Sequence, residues 1–185
     1  MARFSTLASR PGLSLSGIVI ACAAALAGFT CAEGLEPRGG EVAVRVDRVV
    51  IDDHDSPVVV LEEQGGLRWL PIWIGTAEAR SIALRMARHP IIRPNSHDLA
   101  RSLIHELEGR VRRVVITELR DGTYYALLDV SIGDELVSLD ARPSDAIAIA
   151  LRDEAPVFVR EELFEQVGRS EGPSDPTKSP PERRI

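Results

Sequence analysis

Two blocks of this chain occur twice in the same order, and that repetition limits the folds open to it. Arg48-Val49-Val50-Ile51 returns as Arg113-Val114-Val115-Ile116, 65 residues later. Ala79-Arg80-Ser81-Ile82-Ala83-Leu84-Arg85 is paralleled by Ala146-Ile147-Ala148-Ile149-Ala150-Leu151-Arg152, 67 residues later. The first block lies in an alternating β-branched run. The second lies in a run with helical spacing of its apolar residues. A chain that passes from strand patterns to helix patterns and then does so again builds two layers, a sheet and the helices that cover it.

The individual elements follow from periodicity and turn chemistry. Strands are predicted over 42–51, 57–62 and 67–74, separated by the acidic turn Asp52–Ser56 and by Gln64-Gly65-Gly66. A helix then runs from Ala77 to about Arg88, with Ala79, Ile82, Ala83 and Met86 on its buried face. A second helix, His97–Glu108, is capped by Asn95 or Ser96, turns Leu99, Leu103, Ile104 and Leu107 inward, and ends at Gly109. Asp121-Gly122 makes a hairpin of Val114–Leu119 and Tyr124–Val130. A strand over 136–140, a helix entered at Pro143, a short strand over 156–159 and a helix over 160–167 complete the set. The expected fold is α+β and two-layered. A mostly antiparallel or mixed sheet carries helices on one face, with internal duplication of a three-strand plus two-helix unit.

The ends read differently. Residues 1–32 contain Arg3 and Arg10, no acid, and an apolar stretch from Leu13 to Phe29, the layout of an export signal. Ala25-Leu26-Ala27 offers a cleavage site. Val19-Ile20-Ala21-Cys22 resembles a lipoprotein box, with a lipid on Cys22 as the means of membrane attachment. The expected location is the periplasm or cell envelope; an uncleaved anchor or a misassigned start, which would leave the protein cytoplasmic, is the other reading. The segment 168–185 is rich in proline and charge and is expected to be a disordered tail. The folded domain is therefore placed at 41–167.

Composition excludes several chemistries. The only cysteines, Cys22 and Cys31, lie in the export segment, so neither a disulfide scaffold nor a four-cysteine zinc site is available. Lys178 is the only lysine, and the glycine spacing of a phosphate loop is missing. No H-E-x-x-H, G-x-S-x-G or dinucleotide fingerprint occurs. The whole chain has a formal net charge of −6, yet residues 80–120 carry nine arginines against four acids. Such a window can face a phosphate backbone. Aromatics are only 4% of the chain, which disfavours a base-stacking platform.

The polar candidates sit where helices begin. The offset of 67 aligns Glu78 with Asp145, each in a first helical turn beside a hydroxyl, Thr76 or Ser144. Either the pair serves the helix dipole, or the repeat brings two carboxylates together as oxygen ligands for Mg²⁺ or Mn²⁺. In Asp140-Ala141-Arg142-Pro143-Ser144-Asp145, Arg142 can clamp a phosphate or pair with its neighbouring acids. His97, Arg101 and His105 share one helix face, a solvated polar face unless His97 acts as base or ligand.

Four motifs resemble the bifunctional nuclease (BFN) domain family. They are Leu70-Pro71-Ile72-Trp73-Ile74-Gly75-Thr76-Ala77-Glu78-Ala79, Arg93-Pro94-Asn95-Ser96-His97-Asp98-Leu99, Asp121-Gly122-Thr123-Tyr124-Tyr125-Ala126 and Asp140-Ala141-Arg142-Pro143-Ser144-Asp145-Ala146-Ile147-Ala148. The resemblance spans about residues 41–165. It implies a compact α+β domain, activity on DNA and RNA, and self-association. The matching polar positions are Glu78, His97, Asp98, Arg142, Ser144 and Asp145. In the resulting reading Glu78 and Asp145 hold the metal and His97, Asp98, Arg142 and Ser144 form the catalytic set of a nuclease. The competing reading is a non-catalytic binding or assembly module of the envelope.

Overall fold

The computed structural model describes residues 36–90 and 92–168. The proposed export segment and the tail beyond Gly168 lie outside the described residues. In chain order the elements are β1 (Glu41–Ile51), β2 (Pro57–Glu63), β3 (Trp69–Trp73), α1 (Thr76–Met86), α2 (Ser96–Glu106), β4 (Gly109–Arg120), β5 (Thr123–Ile132), β6 (Glu135–Ala141), α3 (Pro143–Asp153), β7 (Val157–Arg160) and α4 (Glu161–Val167). The α+β architecture with a mixed sheet is as the sequence predicts.

The strands form one seven-stranded sheet in the order β3-β2-β1-β7-β4-β5-β6. Two antiparallel meanders, β1-β2-β3 and β4-β5-β6, are joined through β7, which runs antiparallel to β1 and parallel to β4. The meanders thus recur, but the helices that follow them do not. The first is followed by α1 and α2, the second by α3, β7 and α4. The arrangement does not establish a duplication of the whole unit. The sheet also curls. Tyr124 in β5 donates its hydroxyl to the Pro71 carbonyl of β3, 3.3 Å away, bringing an edge strand of one meander to the other.

Alternation decides what is buried. Val59 and Leu61 of β2, Leu70 and Ile72 of β3, Val114 and Ile116 of β4, Ala126 and Leu128 of β5 and Val157 and Val159 of β7 all point to one side. There they meet Ile82 of α1, Leu163 and Phe164 of α4, and the Ala146–Ala150 run of α3. Each fully buried aliphatic side chain stabilises by about 1.5–3 kcal/mol. On the opposite face Val58, Val60 and Trp69 form a smaller cluster. In β4, buried Arg113 stacks over Phe158 of β7 at 4.7 Å and pairs with Glu41 and Asp129.

Helix faces are where the expectations fail. In α1, Ala79 and Ile82 are buried, but Ala83 is exposed and Ser81 takes the inward place. In α2 the reversal is larger. Leu99, Leu103 and Leu107 are 57%, 54% and 68% exposed, and only Ile104 and Ala100 pack, half-buried, on the core. The physical reason is that α3 presents Asp145, Arg152 and Asp153 to α2. Those groups need partners once they are shielded from water, and His97, Asp98, Arg101 and His105 supply them. Nor does Gly109 end α2. Glu108 adopts the left-handed conformation (φ 58°), and Gly109 begins β4 packed against Ile104, where a side chain has no room.

Candidate active site

Three helix N-termini supply the polar cluster. Glu78 is the third residue of α1 and Asp145 the third of α3, so the two acids occupy matching positions. Neither helix has a side-chain cap, so Thr76 and Ser144 are not capping hydroxyls. Pro143 opens α3 with its missing N–H where none is needed. The first turn of α2 is held by a capping box. The Asn95 side chain accepts from the His97 and Asp98 amides, and Asp98 accepts from the Asn95 amide.

Arg142, just ahead of α3, joins the two acids. Its Nε donates to Asp145 Oδ2 at 2.6 Å, and its Nη2 donates to Asp145 Oδ1 at 3.1 Å and to Glu78 Oε1 at 2.8 Å. The Arg142 side chain is 68% exposed, whereas Glu78 is 16% exposed. His97 then approaches Asp145 from α2, with Nε2 3.0 Å from Oδ1. The other ring nitrogen, Nδ1, lies 2.9 Å from Ser81 Oγ.

Behind His97 the network is fully specified. Ser81 Oγ accepts from Asn95 Nδ2 and Arg152 Nη2. With both lone pairs taken, its proton points to His97 Nδ1, which leaves the imidazole proton on Nε2, facing Asp145. The order Ser81–His97–Asp145 resembles a nucleophile triad, but Ser81 is only 4% exposed and cannot meet a substrate. Arg152 is buried and completes the network by donating to Asp98 Oδ1 at 2.6 Å and to the Ala148 carbonyl at 2.6 Å.

The electrostatics follow from these pairs. Burial pushes the Asp145 carboxyl up, but the bonds from Arg142 and His97 outweigh it and hold Asp145 below the usual aspartate range. Burial likewise pushes Asp98 up, and Arg152 with the Asn95 amide brings it below that range. Asp145 and Glu78 raise Arg142 further.

Of the residues singled out from sequence, Glu78, His97, Arg142 and Asp145 are brought into one chain of contacts. Asp98 is linked to His97 through two intermediates, Arg152 and Ser81. Ser144 is buried, 6% exposed, at the second position of α3. Sequence reasoning missed Ser81 and Arg152. The signal was present: both lie within the repeated block, at positions its helical spacing turns inward.

Carboxylates and an imidazole are suitable donors for a hard divalent cation. As arranged, the Arg142 guanidinium lies between Glu78 and Asp145, and among the described residues no three histidine, cysteine, aspartate or glutamate side chains frame a metal ion.

A mixed sheet with a polar cluster at converging helix starts defines a domain class. The model of the bifunctional nuclease domain matches residues 59–171, and the chain belongs to that family. It is 42% identical over 127 residues to the uncharacterized protein Rv1829 of Mycobacterium tuberculosis, covering 69% of this chain and 73% of that one. It is 33% identical over 113 residues to Bifunctional nuclease 2 of Arabidopsis thaliana, covering 60% of this chain and 34% of that protein. Bifunctional nuclease 1 of Oryza sativa subsp. japonica is 36% identical over 113 residues, with 57% and 33% covered. The chain thus spans about a third of the plant relatives. Nuclease-like function is supported at the level of the family.

Proposed function

We propose that this domain hydrolyses phosphodiester bonds of DNA or RNA at the Glu78–Arg142–Asp145–His97 cluster. The observation that carries the reading is the placement of Arg142. A mostly exposed guanidinium is held by two carboxylates, one of which also holds an imidazole. Arg142 can turn from the acids to a phosphate and offer two parallel N–H donors to the charge that develops there. Asp145, freed from Arg142, keeps its bond from the His97 Nε2–H, which orients the carboxylate, and Asp145 can take a proton from an attacking water. Asp98 and Ser144 act as positioning groups, Asp98 through Arg152 and Ser144 within the first turn of α3.

Mg²⁺ or Mn²⁺ would be held by Glu78 and Asp145 after Arg142 has moved, supplying positive charge beside the phosphate. The test is a nuclease assay on DNA and RNA with and without divalent metal. Wild-type protein is expected to cut, and Glu78→Ala and Asp145→Ala are each expected to lose most activity. Activity that survives both substitutions overturns the site.

One observation favours a non-catalytic assembly module instead. Every carboxylate in the cluster already has a partner, and Arg142 ties α1 to α3. Inactive wild-type protein in which Arg142→Ala separates those helices would establish that reading. Export to the envelope, with or without a lipid on Cys22, is proposed from residues 1–32 alone. Among the described residues no helix is long and apolar enough to cross a membrane.

A further inference from the structure

We propose that Arg80, Arg88 and Arg93 form a track that holds the phosphodiester backbone of one nucleic-acid strand to one side of the Arg142 cluster, so that the substrate must extend several nucleotides beyond the bond that is cut. The track rests on the nuclease reading of that cluster and adds the part of the substrate that Glu78, His97, Arg142 and Asp145 do not reach. Residues 79–95 hold four arginines, His89 and no acid, in a chain whose formal net charge is −6. Arg85 is occupied within the domain: its Nε donates to the Leu151 carbonyl at 3.0 Å, and Glu154 stands 3.9 Å from its Nη2. Arg80, Arg88 and Arg93 are exposed, and none of them pairs with an acid among the described residues. Cations left together in this way are balanced by small counterions, which a polyanion releases when it binds.

The fold lines these residues up with the cluster. Arg80 precedes Ser81, whose hydroxyl meets His97 Nδ1 at 2.9 Å. Arg88 lies eight residues further along, about 12 Å at the rise of a helix. There the chain reverses. Arg88 takes the left-handed conformation (φ 51°), and the His89 amide donates back to the Leu84 carbonyl. The connection then returns beside α1, because Asn95 Nδ2 reaches Ser81 Oγ at 3.0 Å. Arg93, two residues before Asn95, is thereby brought back toward the level of Arg80. The row starts with Arg142 and Glu78 at the head of α1, continues with Arg80 and Arg93, and ends at Arg88. Its length takes in more than one phosphate of a strand, at about 3.4 Å of axis for each. No Phe, Trp or Tyr occurs between Trp73 and Tyr124, so the track has nothing to stack on a base. It grips phosphate and is indifferent to sequence.

Fluorescence anisotropy with the full chain tests this, using a labelled single-stranded thymidine 12-mer and a chelator so that nothing is cut. Wild-type protein is expected to bind the 12-mer with an affinity that falls as salt rises, and a thymidine dinucleotide is expected to compete poorly. The triple variant Arg80→Gln, Arg88→Gln, Arg93→Gln is expected to bind at least about tenfold more weakly. It should also flatten the plot of log K against log salt by about 2, since each phosphate contact on a single strand contributes about 0.7. Arg110→Gln removes an equally exposed arginine at the start of β4, outside the track, and is expected to leave both quantities unchanged. Circular dichroism and melting should match wild type in every variant, because the positions are on the surface. No binding by wild-type protein overturns the proposal. So does a triple variant that binds like wild type, an Arg110→Gln loss as large as that of the triple variant, or displacement of the 12-mer by phosphatidylglycerol vesicles as readily as by unlabelled strand. A 12-mer held through these arginines but left intact when metal is supplied would overturn the nuclease reading and leave the track standing.

Discussion

His97 Nε2 lies 3.0 Å from Asp145 Oδ1, and this contact joins the first turn of α2 to the first turn of α3. Asp145 is also the acid that holds Arg142. One carboxylate therefore links the exposed end of the cluster to the buried network around Ser81 and Arg152. Changes at the two ends should have different consequences.

At the exposed end, Arg142→Ala should cost little stability. Pairs this open to solvent contribute about 0–1 kcal/mol. If the guanidinium meets the phosphate, activity should nonetheless fall by about 10²–10³-fold, the scale of a lost transition-state donor. Steady-state rates on DNA and RNA, set beside the melting temperature, separate the two effects. Unchanged rates would remove Arg142 from the chemistry.

At the buried end, Arg152→Ala should be costly. Its side chain is 6% exposed, and the guanidinium donates to Asp98, Ser81, Asn95 and the Ala148 carbonyl. Removing one partner of a buried charged pair costs about 3–5 kcal/mol. Denaturant unfolding should show a midpoint far below wild type. A loss under about 1 kcal/mol would mean that the network relaxes around the vacancy.

Acid should loosen α2. Asp98 and Asp145 are both held below the ordinary aspartate value of 3.8 in the folded chain. A carboxyl lowered by folding binds fewer protons when folded than when unfolded. Its contribution is complete above the unfolded value and is lost as pH falls through the lowered one. Stability measured from neutral pH into acid should drop more steeply than in the Asp98→Asn, Asp145→Asn double variant, where Asp52 and Glu63, also lowered by folding, still contribute. Parallel slopes would show that these carboxyls are not linked to folding.

Gly109→Ala should destabilise for a purely steric reason. A Cβ at Gly109 would stand 2.9 Å from the Ile104 carbonyl oxygen and 3.1 Å from the Ile104 side chain. Both belong to the end of α2, so either that helix or the start of β4 must move. Overpacking of this kind costs about 1–3 kcal/mol, readable as a shift in urea midpoint. A neutral substitution would show that the α2–β4 junction gives way freely.

The strands and the candidate site were more legible than the helix faces. Alternation and turn residues placed β1 within a residue of its observed start, because a half-buried strand has only two sides. Glu78 and Asp145 were found from the repeat, which positions them identically in two helices. Leu99, Leu103 and Leu107 were misread because hydropathy treats a charged face as facing water. It has no way of knowing that Arg152 and Asp153 of α3 are waiting opposite. Ser81 was hidden for the same reason: a hydroxyl inside an apolar block gives no hint of the imidazole and guanidinium that surround it.

The placement of β7 bears on how the chain becomes this fold. Among the described residues, Val157–Arg160 is the last strand to leave the ribosome, yet it lies at the centre of the sheet, between β1 and β4. Until it arrives, each meander has a central edge with unpaired amides, and the halves have no backbone bond between them. Formation of the complete sheet is thus a late event that seals two open edges in one step, and the interval before it is when a nascent chain is most exposed to pairing with a neighbour.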